Sequence, residues 1–487
     1  MITLENVTYR YGPEERPALL NISINIKRGE AVCVMGANGS GKSTFAKLLA
    51  GLIKTEQGRY RLNLPDDCPI PVGLLFQNPD NQIIALTIEK EIAFALENLG
   101  IAQEEMERRI KAVITDMGIG HLRGRLTSEL STGEKQRLSL ASLLVARPPV
   151  LVLDEPSSYL DKQGTELFNS QLEKIRKENP QLTLIHITQY PQTARKYERL
   201  IVFSSGRIEA DGKPDEILAD NDLCVRCGLK FDFNSHKEIS LPDLGSSNSD
   251  DKQIETIELK RLSFDYPDGK TLIKNLNVTF HKNEISAVVG PSGSGKSTLV
   301  MLLCSLLKPD SGELNFLSSS AKLLNRAETK GKITAALQQP ERQFFLNSCQ
   351  DEIKFGPENL GMKLDNKQLE ALFHLSGLSF ELFKSRDPLM LSLGEKRRLA
   401  FSAILAINPD FLIFDEPTCA LDPEGVGRFI LLAESLKKAG MGIIIITHDQ
   451  ELVEKLADRI VSLDGRGNYR RMTRNSAPEA QEAASNS

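Results

Sequence analysis

The sequence lacks any apolar run long enough to span a bilayer, although 40% of its 487 residues are hydrophobic. The longest apolar stretches, such as residues 442–447, have the length of short buried strands. The opening stretch MITLENVTYRYG contains neither the basic nor the apolar segment of a secretory signal peptide, so we expect none. A chain of this kind would work at a membrane only by docking onto other proteins.

The sequence also lacks an excess of positive charge, since 60 Lys and Arg stand against 65 Asp and Glu. A net charge of −5 gives no argument for nucleic acid as a partner. Among the seven cysteines, only Cys224 and Cys227 form a CxxC pair, and no second pair accompanies them, which disfavours a zinc or redox site. The odd cysteine count fits a reducing compartment.

What the sequence does contain is one set of motifs written twice. Three motifs recur: GANGSGKST at 36–44 as GPSGSGKST at 290–298, LSTGEKQR at 130–137 as LSLGEKRR at 391–398, and VLDEP at 152–156 as IFDEP at 413–417. Two divergent copies at one long offset indicate two homologous domains rather than a short-period solenoid.

The composition along the chain predicts the domain boundaries. We expect a first domain at 1–232, a flexible polar linker at 233–253, a second domain at 254–472 and a disordered tail at 473–487. In each copy, apolar strands alternate with helical patterns, which predicts α/β domains with a largely parallel core sheet. The predicted strands are 30–35, 150–153 and 182–188 in the first copy, and 284–289, 411–414 and 442–447 in the second.

Each copy contains a GxxxxGK[ST] phosphate loop between a strand and a helix. In such a loop, backbone N–H groups surround phosphate oxygens, and the helix N-terminus adds its positive dipole. We expect Lys42 and Lys296 to reach the β- and γ-phosphates of ATP, and Ser43 and Ser297 to place a hydroxyl on Mg²⁺. The predicted nucleotide-binding residues of the loops are Gly36, Asn38, Gly39, Gly41, Lys42, Ser43 and Thr44, and Gly290, Ser292, Gly293, Gly295, Lys296, Ser297 and Thr298.

A pair of acidic residues ends the next buried strand of each copy. We expect Asp154 and Asp415 to hold the Mg²⁺ shell, and Glu155 and Glu416 to polarise the attacking water. The alternative is a pair of solvated turn carboxylates. The phosphate loop upstream in both copies favours the catalytic interpretation.

LSTGE and LSLGE, each upstream of the acidic pair, resemble the signature of ABC ATPases, and the resemblance covers nearly the whole chain. It implies two P-loop NTPase domains, each with a mostly parallel core sheet, an antiparallel β subdomain and a helical signature subdomain. In that family two domains pack head to tail, so that each signature closes over the nucleotide held by the other domain. Ser131, Gly133, Ser392 and Gly394 would then meet a γ-phosphate from helix N-termini.

The resemblance also assigns residues around the base and the metal. Tyr11 and Tyr266 match the aromatic that stacks on adenine, although Tyr9 and Phe264 are also candidates and ordinary strand packing is the alternative. The Gln that senses Mg²⁺ and the attacking water is matched by Gln77 in the first copy and Gln338 in the second, with Gln339 as the other register.

The same resemblance singles out one difference between the copies. His448, after the strand IIIIT, matches the switch histidine that contacts the γ-phosphate, whereas Gln189 stands at that position in the first copy. His186 lies three residues before Gln189, within a predicted strand, and we expect its side chain to pack inside the domain. Asp161 and Asp422 match the loop Asp that links the two sites.

The segments FQNPDNQII…ENLG and LQQPERQFF…GPENLG resemble the ATPases of energy-coupling factor (ECF) importers, which take up vitamins or transition-metal ions. This implies an integral membrane coupling subunit and a substrate-binding membrane subunit as partners, at the cytoplasmic face of the cell membrane. The residues expected to contact the partner are Gln82, Ile83, Ile84, Gln343, Phe344 and Phe345. The alternative is that they belong to each domain's own core.

Two other classes remain open at this point. A conventional ABC importer ATPase would share every catalytic motif, and only the segment after each Gln argues against it. A tandem-ABC ribosome factor would carry a long basic arm between its domains, whereas residues 233–253 contain two lysines against four acidic residues. The cargo is chosen by a separate subunit, so a thiamine precursor, another B vitamin, cobalt and nickel all fit the sequence.

Overall fold

The computed structural model describes residues 2–12, 15–64, 68, 70–158, 160, 162–233, 235, 239–244, 253–266, 271–291, 293–419, 421–464 and 469–473. Asp161 and Ser292 lie outside these residues, as do most of the predicted linker and tail. The chain divides into two compact units, Met1–Asp232 with Ala420–Gly425, and Phe233–Cys419 with Val426–Ser487.

The first unit contains a six-stranded and a three-stranded sheet. Its strands are β1 (Ile2–Tyr9), β2 (Leu19–Ile26), β3 (Ala31–Gly36), β4 (Gln57–Leu62), β5 (Val72–Leu75), β6 (Val150–Asp154), β7 (Thr183–Ile187), β8 (Arg199–Ser204) and β9 (Arg207–Gly212). The larger sheet has the order β5-β6-β7-β3-β8-β9, in which only β9 is antiparallel. Every residue of β3, β6 and β7 is buried, as expected for parallel strands covered on both faces.

The smaller sheet of the first unit is antiparallel, with the order β2-β1-β4. The helices are α1 (Lys42–Leu49), α2 (Ile88–Asn98), α3 (Gln103–Asp116), α4 (Thr132–Leu144), α5 (Lys162–Glu178), α6 (Pro191–Ala194), α7 (Pro214–Ala219) and α8 (Asn221–Arg226). Helices α2, α3 and α4 contact one another and bury Ile92, Ile114 and Leu138. They form a helical layer that includes the signature motif.

The second unit repeats this plan. Its strands are β10 (Thr256–Asp265), β11 (Thr271–His281), β12 (Ile285–Val289), β13 (Ser311–Leu317), β14 (Ile333–Ala336), β15 (Phe411–Asp415), β16 (Gly442–Ile446), β17 (Arg459–Leu463) and β18 (Tyr469–Thr473). Its helices are α9 (Lys296–Leu303), α10 (Cys349–Asn359), α11 (Asn366–Leu375), α12 (Phe380–Phe383), α13 (Leu393–Leu405), α14 (Pro423–Lys438) and α15 (Gln450–Leu456). The sheet orders are β14-β15-β16-β12-β17-β18 and β11-β10-β13. The predicted fold of two α/β domains, each with a largely parallel core sheet and an antiparallel sheet, is therefore confirmed.

Six residues of the predicted linker, Ile239–Leu244, lie along the second unit, and we call them segment 239–244. The side chains of Ile239, Leu241 and Leu244 pack against the apolar core beneath α11 and α14. The N–H of Ile239 donates to Ser435 Oγ at 3.4 Å, and Gln368 Nε2 donates to the carbonyl of Asp243 at 3.0 Å. This stretch is therefore held by side chains of both helices.

None of the helices within the described residues combines the length and the apolar content that crossing a bilayer would require.

Candidate nucleotide-binding sites

The first phosphate loop connects the end of β3 to the start of α1. Gly41, the N-cap residue of α1, has φ 105°, and a Cβ there would collide with the carbonyl oxygen of Ala18. Only glycine takes this left-handed conformation at low cost. Lys42 Nζ donates to the carbonyls of Gly36 and Ala37 at 2.8 Å each, so its ammonium lies over the loop.

Asp154, the last residue of β6, lies beside this loop. Burial raises its pKa to about 6; the neighbouring Glu155 carboxylate also raises it, while a hydrogen bond with Ser43 opposes the shift. Its buried Oδ1 atom has no hydrogen-bond partner among the described residues. An unpaired carboxylate oxygen next to a serine hydroxyl is the donor set that a hard divalent cation prefers, so these residues fit Mg²⁺.

Glu155 is the centre of a hydrogen-bond network in the first unit. Its Oε2 accepts from Gln77 Nε2 at 3.0 Å and from Ser158 Oγ at 3.2 Å. Its Oε1 accepts from Gln189 Nε2 at 2.8 Å, and the same amide nitrogen donates to Asn38 Oδ1 at 2.8 Å. Gln189 therefore lies where the sequence predicts the switch residue, in direct contact with Glu155.

His186, by contrast, belongs to the core of the first unit. It lies in β7 with 1% of its surface exposed, and its Nδ1 is 2.6 Å from the Tyr197 hydroxyl. Burial lowers its pKa to about 3, which keeps the imidazole neutral.

The second phosphate loop has the same construction. Lys296 Nζ donates to the carbonyls of Gly290 and Pro291 at 2.8 and 3.0 Å. Ser297 Oγ donates to Asp415 Oδ2 at 3.3 Å. Burial, followed by repulsion from Glu416, raises the pKa of Asp415 to about 6. The serine and the aspartate predicted to hold Mg²⁺ are thus adjacent in both units.

Glu416 has a different neighbour from Glu155. His448 Nδ1 lies 2.9 Å from Glu416 Oε1, and Thr447 Oγ1 donates to Glu416 Oε2 at 3.2 Å. Both glutamates have left-handed backbones, with φ 47° at Glu155 and 51° at Glu416. A non-glycine residue in this region is strained, and such strain clusters at functional sites.

Arg397 is a residue of the second site that the sequence analysis missed. It is 3% exposed, and its Nη1 donates to the carbonyl of Glu416 at 2.6 Å while Nη2 donates to the carbonyl of Gln338 at 3.1 Å. Its counterpart in the first copy is Gln136, which is equally buried and whose Nε2 has no partner among the described residues. Comparing GEKQR with GEKRR would have drawn attention to this position.

The structure shows which of the adjacent residues Gln338 and Gln339 corresponds to Gln77 of the first unit. Gln77 and Gln338 each lie two residues beyond β5 and β14, respectively. Gln339 instead caps a short 3-10 turn, as Asn78 does in the first unit. Gln338 is therefore the structural counterpart of Gln77.

The aromatic residues at the end of β1 and β10 form matching pairs. Tyr9 and Tyr11 meet edge to face at 5.1 Å between ring centroids, and so do Phe264 and Tyr266. Tyr11 is 53% exposed, and its hydroxyl lies 3.1 Å from Thr44 Oγ1 in the first phosphate loop. The outer ring of the first pair is thus the one available to a base.

Both signature serines lie at helix N-termini, as the sequence predicts. Ser131 and Ser392 are the N-cap residues of α4 and α13, and each forms a capping box with the glutamate three residues later. Gly133 and Gly394 follow in the first turn of each helix.

Asp422 belongs to the first unit, in the stretch Ala420–Gly425. Its Oδ2 accepts from the N–H of Asn38 in the phosphate loop at 2.7 Å, and its Oδ1 accepts from the N–H of Gly425 at 2.8 Å. Asp422 thus lies beside the first phosphate loop.

The segments after Gln77 and Gln338 only partly match the predicted partner contacts. Ile84 is 65% and Phe345 61% exposed, but Phe344 is only 8% exposed and packs into its own core, so the prediction is wrong for Phe344. Ile83 also packs against its own core. The side chains of Gln82 and Gln343 accept hydrogen bonds from the N–H groups of Phe76 and Leu337, which places them inside their own units.

A buried glutamate in each unit fixes these segments. Glu91 Oε2 accepts from the N–H groups of Ile84 and Ala85 at 2.9 and 2.7 Å. Glu352 accepts in the same way from Phe345 and Leu346. Neither glutamate was predicted from the sequence, although both begin the shared pair Glu-Ile.

Comparison with known proteins defines the family. A profile of the ABC transporter family matches residues 19–158 and 273–419. A "Putative ABC transporter ATP-binding protein" of Caldanaerobacter subterraneus subsp. tengcongensis is 32% identical, over 96% of this chain and 90% of the relative. The "Putative HMP/thiamine import ATP-binding protein YkoD" of Bacillus subtilis is 30% identical, again over 96% of this chain and 90% of the relative.

Among solved structures, an archaeal ribosome recycling factor in complex with a ribosomal stalk protein superposes with a TM-score of 0.64, over 96% of this chain and 89% of that chain. Its identity of 19% shows a shared fold alone. The chain belongs to the ABC transporter family. It is a tandem ATP-binding subunit of an ABC transporter, an ATP hydrolase coupled to transport.

Proposed function

We propose that this chain is the energy-coupling ATPase of an ECF-type importer, which drives uptake of a vitamin or a transition-metal ion through separate membrane subunits. The observation that carries the proposal is the exposure of Ile84 in the first unit and of Phe345 in the second, each in a segment that resembles ECF ATPases. The whole-length similarity to a protein whose name describes HMP/thiamine import supports it.

In this proposal, the two phosphate loops bind ATP through Lys42 and Lys296. Ser43 and Asp154 in one unit, and Ser297 and Asp415 in the other, hold Mg²⁺ with Gln77 and Gln338 nearby. Held by these residues, Mg²⁺ would supply positive charge to offset that of the phosphates. The unpaired Oδ1 of Asp154 supports this assignment.

Glu155 and Glu416 orient the attacking water and accept its proton. Their carboxylates are held by side chains that donate hydrogen bonds, which preorganises them for this role. Thr44, Thr298, Tyr11 and Tyr266 complete the nucleotide sites. Each signature, with Ser131 and Gly133 or Ser392 and Gly394, would close over the nucleotide of the other half, with Asp161 and Asp422 linking the sites.

The partner in this proposal is an integral membrane coupling subunit, itself joined to a substrate-binding subunit, at the cytoplasmic face of the membrane. Exposed large apolar side chains grouped on one segment are typical of a protein interface. In the second unit, Phe345 meets Phe355 edge to face at 4.5 Å, and both rings are exposed, which extends the apolar patch.

The test compares two adjacent phenylalanines in the native complex, with transport measured in cells and co-purification and ATPase activity measured after solubilisation in detergent. Phe345→Glu places a charge in the exposed patch, so transport and co-purification of a multi-span membrane protein should fall while basal ATPase activity persists. Phe344→Glu buries a charge in the core, so the chain itself should lose stability.

Transport unaffected by Phe345→Glu would contradict the proposed partner surface. Co-purification with ribosomes, with no membrane protein, would favour the ribosome-factor alternative. A requirement for a separate extracellular binding protein would identify a conventional importer instead.

A further inference from the structure

A cavity of about 750 Å³ lies in the first unit, away from the phosphate loop. It is bordered by Pro148 and Pro149, just before β6, and by Leu182, just before β7. The phosphate loop follows the opposite, carboxyl end of the parallel strands. The cavity therefore belongs to neither the nucleotide site nor the exposed patch around Ile84.

The cavity has an apolar floor and a cationic rim. Val113 of α3 and Ile175 of α5 are buried in the floor. Four cations line it, Arg28, Arg109, Arg147 and Lys174. Arg109 forms an ion pair with Glu105 at 2.7 Å, and Lys174 forms ion pairs with the lining residues Asp116 and Glu178 at 3.2 and 3.7 Å. Arg28 and Arg147 have neither a salt bridge nor a side-chain hydrogen bond within the described part of the chain. The site thus combines apolar surface with the positive charge of Arg28 and Arg147, which is available to a ligand.

The sequence repeat identifies the counterpart of this cavity in the second unit. Lys174 lies twenty residues after Asp154, and Ser435 lies twenty residues after Asp415. Arg109 lies nine residues before Gly118, the left-handed glycine after α3. Gln368 likewise lies nine residues before Gly377, the left-handed glycine after α11. Ser435 and Gln368 are therefore the counterparts of Lys174 and Arg109.

In the second unit, these two counterparts hold segment 239–244. Ser435 accepts from the N–H of Ile239, and Gln368 donates to the carbonyl of Asp243. The apolar side chains of the segment pack against the core that contains Leu372 and Leu436, the counterparts of Val113 and Ile175. The groove between the two helices is thus occupied by a peptide segment of the chain itself.

We propose that the cavity of the first unit binds an extended peptide from a partner protein, with apolar side chains and at least two carboxylates. The second unit shows that the helix pair and apolar floor can hold such a peptide. The neutral Gln368 and Ser435 are replaced by Arg109 and Lys174, and the two arginines Arg28 and Arg147 also lie on the rim. An acidic peptide is therefore the complementary ligand.

The test uses a fluorescein-labelled synthetic peptide, Asp-Ile-Asp-Leu-Pro-Asp-Leu-Glu, and fluorescence anisotropy with the full chain at low salt. Saturable binding is expected, and Lys174→Glu or Ala112→Trp should weaken it by about tenfold or more, because the first reverses the rim charge and the second fills the cavity. The matched control is Lys177→Glu, one turn along α5, exposed and outside the cavity lining. Basal ATPase activity reports folding in every variant.

No saturable binding, or equal binding to all variants, would overturn the proposal. A photo-crosslinker at position 112 of the assembled native complex then identifies the occupant. A crosslink to a different polypeptide is expected. Crosslinks only within the chain, or only between two copies of it, would overturn the assignment to a partner protein.

Discussion

Gln189 and His448 lie in the same place beside their glutamates but differ in chemistry. An imidazole can carry a positive charge or relay a proton, whereas an amide can only donate and accept hydrogen bonds. Gln189 Nε2 donates to both Glu155 and Asn38. We therefore expect the first site to bind ATP but to hydrolyse it more slowly than the second.

Substituting the two glutamates measures this inequality. Loss of a general base costs ~10²–10⁴-fold in rate. Glu416→Gln should therefore nearly abolish steady-state hydrolysis, while Glu155→Gln should leave a large fraction. Single-turnover measurements with trapped nucleotide separate the sites; equal single-turnover losses at both would contradict the asymmetry.

Arg397 provides a second test at the residue scale. Hydrogen bonds from a charged group contribute about 1.5–3 kcal/mol each. Arg397→Gln removes the hydrogen bonds that join α13 to the carbonyls of Glu416 and Gln338. We therefore expect kcat to fall several-fold, with little change in KM for ATP. Arg397→Lys should restore part of the loss. A change in KM alone would indicate a structural role unrelated to the catalytic glutamate.

At the scale of elements, segment 239–244 contributes to the stability of the second unit. Leu241→Asp would place a charge against the apolar core at a cost of about 1–3 kcal/mol, which corresponds to roughly 2–4 °C in Tm per kcal/mol for a unit of this size. Ser240 is exposed, so Ser240→Asp is the control and should leave Tm within about one degree. Equal Tm values would show that the packing of Leu241 does not stabilise the unit.

The core strands were predictable because their apolar runs are continuous. The predicted 150–153 and 442–447 became Val150–Asp154 and Gly442–Ile446, within a residue at each end. The orientation of Phe344 and Phe345 was not predictable, because neighbouring apolar residues in a loop show no period that separates inside from outside. Segment 239–244 resembled a linker because its three apolar residues are too few to show a periodic pattern that would indicate packing.

The site residues divide in a similar way. Lys42, Asp154 and Glu155 are fixed by short motifs whose chemistry requires neighbouring residues, and the fold brings them together. Arg397 instead donates to the backbone carbonyl of Glu416, nineteen residues away, and Glu352 accepts from the backbone N–H of Phe345 in a loop. No local pattern predicts such contacts, since any residue offers the same backbone groups.

At the scale of the whole molecule, the proposed head-to-tail pairing predicts that the two halves share their sites. Lys296→Ala should reduce nucleotide binding at the second phosphate loop. Ser131→Arg, in the other half of the chain, should damage that same site, because the larger side chain would block the approach of the γ-phosphate to the helix N-terminus and would remove the N-cap hydroxyl. Site-specific nucleotide trapping measures both. Intact turnover at the Lys296 site in Ser131→Arg would contradict the shared-site arrangement.

The left-handed backbone of Glu155 and Glu416 lowers the stability of the folded protein at the two residues that we propose for catalysis. Each glutamate combines a strained φ with a carboxylate that raises the pKa of the adjacent aspartate through repulsion. A glycine at either position would relieve both penalties and would also remove the group proposed to activate water. Selection for stability alone would therefore tend to replace these residues, and the catalytic role that we propose for them accounts for their presence in both halves.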